Sequence, residues 1–123
     1  MTPVALVSIV EDDESVREAI ESLIRSVGWD VLTFDSANAF LNSGAVNQTR
    51  CLISDVTMPG MSGIEMHARL LARGYVPPTI FITAYPTASD EATALANGAL
   101  AYFEKPVDSA LILEKVRQAL GLP

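Results

Sequence analysis

Short apolar runs alternate along the chain with longer segments that have helical periodicity. The runs are rich in β-branched or aromatic residues, and several are apolar at consecutive positions, which is typical of strands that helices cover on both faces. We therefore predict that each run is a β-strand. The predicted strands are VALVSIV (4–10), DVLTF (30–34), CLISD (51–55), PTIFIT (78–83) and AYF (101–103).

The segments between these runs carry the spacing and the end signals of amphipathic helices. In the first segment apolar residues recur at i, i+4, i+7, i+8 and i+11, with Asp13 at the N-cap position and Gly28 at the end. These apolar residues are Val16, Ile20, Leu23, Ile24 and Val27. Further helices are predicted over 36–43, 62–73, 87–98 and about 108–120. The fourth helix has Leu95 as its only large apolar residue, on an inward face that is otherwise Ala.

The alternation of strands and helices predicts the fold class and the location of a site. A (βα)₅ order with right-handed crossovers gives a doubly wound parallel sheet. Ligands of such open sheets bind beyond the carboxyl ends of the strands. The polar residues at the predicted strand ends are Glu11, Asp12, Asp13, Asp55, Thr83 and Lys105. We therefore expect acids, a hydroxyl and an amine to meet at one edge of the sheet.

Composition limits the classes of function. The length of 123 residues suits one domain, and no apolar run reaches the roughly 20 residues of a membrane span. The net charge of −7 argues against direct nucleic-acid binding, because neutralising phosphates requires clustered Lys and Arg. The single Cys51 excludes an internal disulfide and suits a reducing compartment. These features predict an acidic, soluble domain of the cytoplasm.

The charges at the strand ends point to phosphoryl chemistry. Two carboxylates about 5 Å apart repel by roughly 3 kcal/mol at an effective dielectric near 20, so the acids need a proton or a cation. Mg²⁺ fits because it binds few carboxylates and keeps water ligands. Lys105 cannot bind a metal ion, so we expect its partner to be an anion that is delivered to the site. With the Thr83 hydroxyl, this set is suited to phosphoryl transfer onto Asp55.

Four motifs give the chain a family resemblance over essentially its whole length. VSIVEDDESVREAI, SDVTMPGMSGIE, FITAY and AYFEKP together resemble the receiver domain of two-component response regulators. The resemblance implies a flavodoxin-like fold with strand order 2-1-3-4-5 and a cis Lys105-Pro106 bond. We expect residues 1–123 to form a single receiver domain with no output domain in this chain, which is either a stand-alone receiver or one module of a longer transcription factor. The residues within these motifs are most similar to those of nitrogen-fixation-type transcriptional regulators.

The resemblance also implies a role for each residue of the site. Asp55 matches the phosphoacceptor. Glu11, Asp12, Asp55 and the backbone carbonyl of Thr57 match the ligands of Mg²⁺ or Mn²⁺. Thr83 and Lys105 match the residues that bind the phosphoryl group, and Tyr102 matches the switch aromatic. The pair Glu11-Asp12 departs from the Asp-Asp pair of many receivers, so we expect Asp12 to be a direct ligand and Glu11 to bind through water.

The implied function is a signalling switch, and other interpretations compete with it. The phosphodonor would be a sensor histidine kinase or a histidine phosphotransfer protein, and phosphorylation would alter the surface of the fourth helix, fifth strand and fifth helix, with homodimerisation as one outcome. The domain would be no enzyme beyond its own phosphorylation and dephosphorylation. The alternatives are a haloacid-dehalogenase-type enzyme, although Thr57 replaces its second acid, a constitutive docking module, and an electron-transfer flavoprotein.

Overall fold

Five parallel strands form one sheet in the order β2-β1-β3-β4-β5. The structure is a computed structural model that describes residues 6–122, so the first two residues of the first predicted strand lie outside the described part. The strands are β1 (Leu6–Val10), β2 (Asp30–Phe34), β3 (Cys51–Asp55), β4 (Thr79–Thr83) and β5 (Ala101–Glu104). The predicted doubly wound, flavodoxin-like (βα)₅ fold and its strand order are confirmed.

Each helix begins directly after a polar residue whose side chain caps it. The helices are α1 (Glu14–Ser26), α2 (Ala37–Leu41), α3 (Gly63–Arg73), α4 (Ala88–Ala96) and α5 (Ser109–Leu120). The capping side chains, which accept from backbone amides of the first turns, are Asp13, Ser36, Ser62, Thr87 and Asp108. A short 3₁₀ turn at Val46–Gln48, which the periodicity did not predict, precedes β3.

Alternate residues of the strands lie on opposite faces of the sheet, and each face has its own apolar cluster. One cluster joins the strands to α1 and α5 through Ile20, Ile24, Ile112 and Val116. The other joins them to α2 and α3. Because β1, β3 and β4 are buried at every position, their ends are held firmly by both layers. The predicted apolar face of α1 is correct except at Val27, which follows the helix as its C-cap and is 37% exposed.

Helix α4 is attached to the domain by little apolar surface. Ala94 is its only buried residue, and it lies in a small cluster with Val56 and Phe81. The prediction that Leu95 lies on the inward face was wrong, because Leu95 is 49% exposed. Ala94 occupies the position that faces the core, and its neighbour is rotated by about 100° on a helix of 3.6 residues per turn. A helix with so little burial can shift at low cost in free energy.

Candidate functional site

The carboxyl ends of four strands meet at one edge of the sheet. Strand pairing places Val10 opposite Ser54, Asp55 opposite Ile82, and Thr83 opposite Glu104. Since the polar residues predicted from the sequence lie at or just beyond these positions, the topology brings them to a common edge.

Three carboxylates gather beside the ends of β1 and β3. Ligand oxygens of Glu11, Asp12 and Asp55 all lie within 4.8 Å of one another. Glu11 is fully buried and Asp55 is 5% exposed, whereas Asp12 faces solvent. The set therefore offers two buried acids and one accessible acid.

Lys105 bridges the two buried acids. Its Nζ lies 2.6 Å from Glu11 Oε1 and 2.9 Å from Asp55 Oδ2, and the Lys105-Pro106 peptide bond is cis as the resemblance implied. The expectation that the partner of Lys105 would be a delivered anion was therefore incomplete. Two carboxylates buried this closely need a counter-charge before any ligand binds, and the ammonium group supplies it.

The Asp55 carboxylate is oriented through both of its oxygens. Oδ1 accepts from the Thr57 amide at 3.1 Å, while Oδ2 accepts from Lys105. Thr57 itself is exposed, so its segment lies at the open side of the site. Among the described residues, every buried side-chain nitrogen or oxygen atom has a hydrogen-bond partner. Both oxygens of the Asp55 carboxylate are thus hydrogen-bonded before a substrate binds.

The donor atoms fit a hard divalent cation. All three acids present oxygen ligands, and Mg²⁺ prefers one or two carboxylates with water in its remaining positions. Both oxygens of Glu11 already have partners, because Oε1 contacts Lys105 and Oε2 accepts from the Asp13 amide at 3.3 Å. Both oxygens of Asp55 have partners as well, so the solvent-facing Asp12 is the carboxylate most accessible to an ion. The expectation that Asp12 binds the ion directly stays a prediction.

Thr83 and Tyr102 lie on the β4–β5 side of the same edge. The buried Thr83 hydroxyl accepts from the Tyr85 amide at 3.1 Å, and the Thr83 carbonyl accepts from the Lys105 amide at 2.8 Å. Tyr102 is half-buried, and its hydroxyl accepts from the amide of Thr87, the N-cap of α4, at 3.4 Å. Thr83 therefore contacts the backbone of Lys105, and Tyr102 separately contacts the start of α4.

Comparison with known protein families identifies the chain. Residues 7–117 match the response regulator receiver domain, a span that includes every residue of the site described above. The chain belongs to the response-regulator receiver family. This membership decides against the haloacid-dehalogenase and flavoprotein alternatives.

The relatives of this receiver domain are longer regulatory proteins. Response regulator protein TmoT of Ectopseudomonas mendocina is 40% identical over 118 residues, covering 96% of this chain and 54% of that protein. Transcriptional regulatory protein FixJ of Azorhizobium caulinodans is 38% identical over 115 residues, covering 94% of this chain and 54% of that protein. The receiver domain thus spans about half the length of these curated relatives. The predicted similarity to nitrogen-fixation-type regulators is confirmed.

Solved structures agree with this assignment. Response regulator StyR has a TM-score of 0.88 at 40% identity, covering 94% of this chain and 59% of that chain. FixJ-N has a TM-score of 0.84 at 31% identity, covering 98% of this chain and 96% of that chain. Within residues 6–122, none of the helices combines the length and the apolar character needed to cross a bilayer.

Burial and charge perturb two groups of the receiver site in different ways. Burial raises the pKa of Glu11 from 4.5 to about 7; the Lys105 ammonium opposes the rise and the Asp55 carboxylate adds to it. Burial alone would lower the pKa of Lys105, but its hydrogen bonds to Glu11 and Asp55 outweigh burial and raise it. Lys105 therefore stays charged at neutral pH, while Glu11 is poised to gain or lose a proton.

Glu11 should make the stability of the metal-free receiver domain pH-dependent. Its pKa is higher in the folded state, so the folded protein binds the extra proton, and this stabilisation is present below pH 4.5 and lost as pH rises through about 7. Relative to Glu11→Gln, the free energy of unfolding should fall by roughly 1 to 3 kcal/mol across that window. Urea denaturation in EDTA at several pH values measures the difference. Parallel pH profiles for the two proteins would contradict the assignment.

Gly63 supports the site although the sequence analysis did not select it. A Cβ atom at Gly63 would lie 2.1 Å from the backbone oxygen of Asp55 and 2.9 Å from Ser54 Oγ. The Gly63 amide donates to the Val56 carbonyl at 2.9 Å, which ties the start of α3 to the end of β3. The only signal in the sequence is a glycine directly after the capping Ser62, where helix propensity gives it no advantage.

Proposed function

We propose that residues 1–123 act as a single receiver domain and as the phosphoacceptor switch of a two-component phosphorelay, with Asp55 as the acceptor. The observation that carries this proposal is the buried Asp55 carboxylate, fixed by the Thr57 amide and by Lys105 beside two further acids. Its only chemistry would be its own phosphorylation and dephosphorylation.

The residues of the site suit each part of a phosphoryl transfer. A carboxylate oxygen of Asp55 forms the O–P bond while the N–P bond of a phosphohistidine breaks, and the imidazole nitrogen keeps the electron pair and takes a proton from water. Bound Mg²⁺, or Mn²⁺, would neutralise charge on the phosphoryl oxygens. Asp12, Asp55 and the Thr57 carbonyl would hold the ion, with Glu11 beside them. Lys105 would exchange its Glu11 contact for a phosphoryl oxygen, and the Thr83 hydroxyl would donate to another.

The surface beside the site suits a helical phosphodonor. A cavity of about 520 Å³ lies between α1 and α5, lined largely by apolar side chains such as Val16, Leu23 and Ile112. Lys105 and Pro106 also line it, so a protein docked there lies next to Asp55. Apolar grooves of this kind accept the apolar face of a helix. These features support a sensor histidine kinase or histidine phosphotransfer protein as the partner.

The route by which phosphorylation is transmitted follows from the weak attachment of α4. If the Thr83 hydroxyl turns toward a phosphoryl oxygen, it vacates space beside β4 that the ring of Tyr102 can fill. The bond from the Thr87 amide to Tyr102 then breaks, which frees the start of α4. The resulting surface of α4, β5 and α5 would bind the output partner or a second copy, as suits a domain related to transcriptional regulators.

Thr83→Ala should separate phosphorylation from its transmission. The variant keeps Asp55, Lys105 and the acids, so it should still accept the phosphoryl group, but amide chemical shifts in α4 and at Tyr102 should no longer respond to a beryllofluoride–Mg²⁺ complex. Thr79→Ala is the matched control, because Thr79 is a buried threonine at the opposite end of the same strand. A full α4 response in Thr83→Ala would rule out this route.

The experiment that tests the function is incubation with acetyl phosphate, followed by intact mass measurement. One phosphoryl group per chain is expected in the presence of Mg²⁺, and none with EDTA. Absence of uptake with Mg²⁺ would instead support the constitutive docking module.

A further inference from the structure

Arg17 holds the segment that carries the two acids at the end of β1. Its Nη1 donates to the Glu11 carbonyl oxygen at 2.9 Å, and its backbone amide donates to the Asp13 carbonyl oxygen, also at 2.9 Å. The side chain is half-buried. The side chain of Arg17 therefore contacts the start of the segment Glu11–Asp13, which has Asp12 at its centre, whereas its backbone amide makes the first i→i−4 bond of α1, as any residue at this position would.

The bond from Arg17 to the Glu11 carbonyl lies at the point where the chain leaves the sheet. The Glu11 amide still donates to the Phe34 carbonyl at 3.0 Å, and this is the last bond by which the segment joins β2. Beyond it, the contact between the Asp13 amide and Glu11 Oε2 is long, at 3.3 Å. A charge-assisted bond from the planar guanidinium group is shorter and more directional than that contact. The direction of the Asp12 peptide thus depends on Arg17.

We propose that Arg17 is a positioning residue for cation binding, which keeps the Asp12 carboxylate turned toward Asp55. The inference rests on the proposed function, because Mg²⁺ is the ligand concerned. Two physical effects of Arg17 on Mg²⁺ have opposite signs. Its positive charge disfavours a second cation nearby, whereas its bond to the Glu11 carbonyl organises the ligands. The sign of the change in affinity on removing the charge therefore separates positioning from simple electrostatics.

The experiment compares the Mg²⁺ affinities of the unsubstituted chain, Arg17→Gln and Arg25→Gln. Amide chemical shifts measure the binding. Arg25 is the matched control, since it lies on the same helix, is exposed, and pairs with Glu21 at 3.0 Å away from the acids. Arg17→Gln should bind Mg²⁺ about tenfold more weakly, as is typical when a group that orients metal ligands is removed. Arg25→Gln should keep its affinity, and Arg17→Lys should recover part of the loss.

A second readout needs no metal ion. In EDTA, hydrogen exchange of the Asp13 and Val16 amides should speed up in Arg17→Gln while the amides of β4 keep their protection, which distinguishes a loosened segment from general unfolding. Unchanged or tighter Mg²⁺ binding by Arg17→Gln would overturn the inference and leave the proposed function intact. Lost protection throughout β4 would also overturn it. Failure of the unsubstituted chain to bind Mg²⁺ would overturn the proposed function itself.

Discussion

Asp55→Asn is expected to take up no phosphoryl group from acetyl phosphate under conditions in which the unsubstituted receiver domain takes up one per chain. The amide has nearly the same shape as the carboxylate, and its oxygen can still accept from the Thr57 amide. It lacks the negative charge and the nucleophilic oxygen that attack on phosphorus requires. Lys105 would keep Glu11 as its charged partner. Uptake should therefore fall by more than about a thousandfold while the fold is retained.

The control for this variant is a second carboxylate-to-amide change at the same edge of the sheet. Asp13 lies two residues beyond Glu11, and its Oδ1 accepts from the Val16 amide as the N-cap of α1. Asparagine caps helices about as well as aspartate, so Asp13→Asn should keep both stability and uptake. Intact mass and circular dichroism measure the two properties. Equal uptake by Asp55→Asn, or equal loss in Asp13→Asn, would refute the assignment of the acceptor.

The fold could be predicted because local and global signals agree. CLISD and PTIFIT are too short and too apolar for amphipathic helices, and in the structure β3 and β4 are buried at all five positions. The polar residue before each helix marked its start to within one residue, since the capping side chain satisfies an amide that the helix leaves free. Strand order followed from the family resemblance rather than from these local patterns.

The burial of α4 could not be predicted in the same way. Leu95 is the only large apolar side chain in a helix of nine residues, so hydrophobicity alone favoured it as the inward residue. The structure instead buries Ala94 against Val56 and Phe81. The space between α4 and the sheet decides which side of the helix fits, and that space depends on residues outside α4, in β4 and just after β3.

For the candidate site, the residues could be predicted from the sequence, but the contacts between them could not. The acids, Thr83 and Lys105 could be predicted, because the ends of parallel strands meet and polar groups stand at those ends. Their pairing could not. The contact between Lys105 and Glu11 joins residues 94 positions apart, and the bond from Arg17 to the Glu11 carbonyl depends on the turn between β1 and α1. Sequence patterns predict which residues lie at the same edge of the sheet. They do not predict the relative orientation of the side chains, on which the hydrogen bonds depend.

Gly63→Ala is expected to reduce the free energy of unfolding by about 3 kcal/mol, because the new methyl group would overlap the backbone oxygen of Asp55. Backbone cannot rotate away as a flexible side chain can, so either the end of β3 or the start of α3 must move. Movement of β3 displaces the Asp55 carboxylate relative to Lys105. The rate of phosphorylation by acetyl phosphate should therefore fall as well, measured at a temperature where the variant remains folded.

Gly60→Ala, in the loop that precedes α3, is the matched control, and it separates steric overlap from backbone strain. Gly60 has a φ of +79°, but a Cβ atom there would meet nothing within 4 Å, so the substitution should cost only about 1 kcal/mol. Urea denaturation compares the two variants directly. If Gly63→Ala is no less stable than Gly60→Ala, the close approach of α3 to the Asp55 carbonyl does not hold the acceptor in place. If it is less stable and also phosphorylated more slowly, the absence of a side chain at residue 63 helps to place the Asp55 carboxylate.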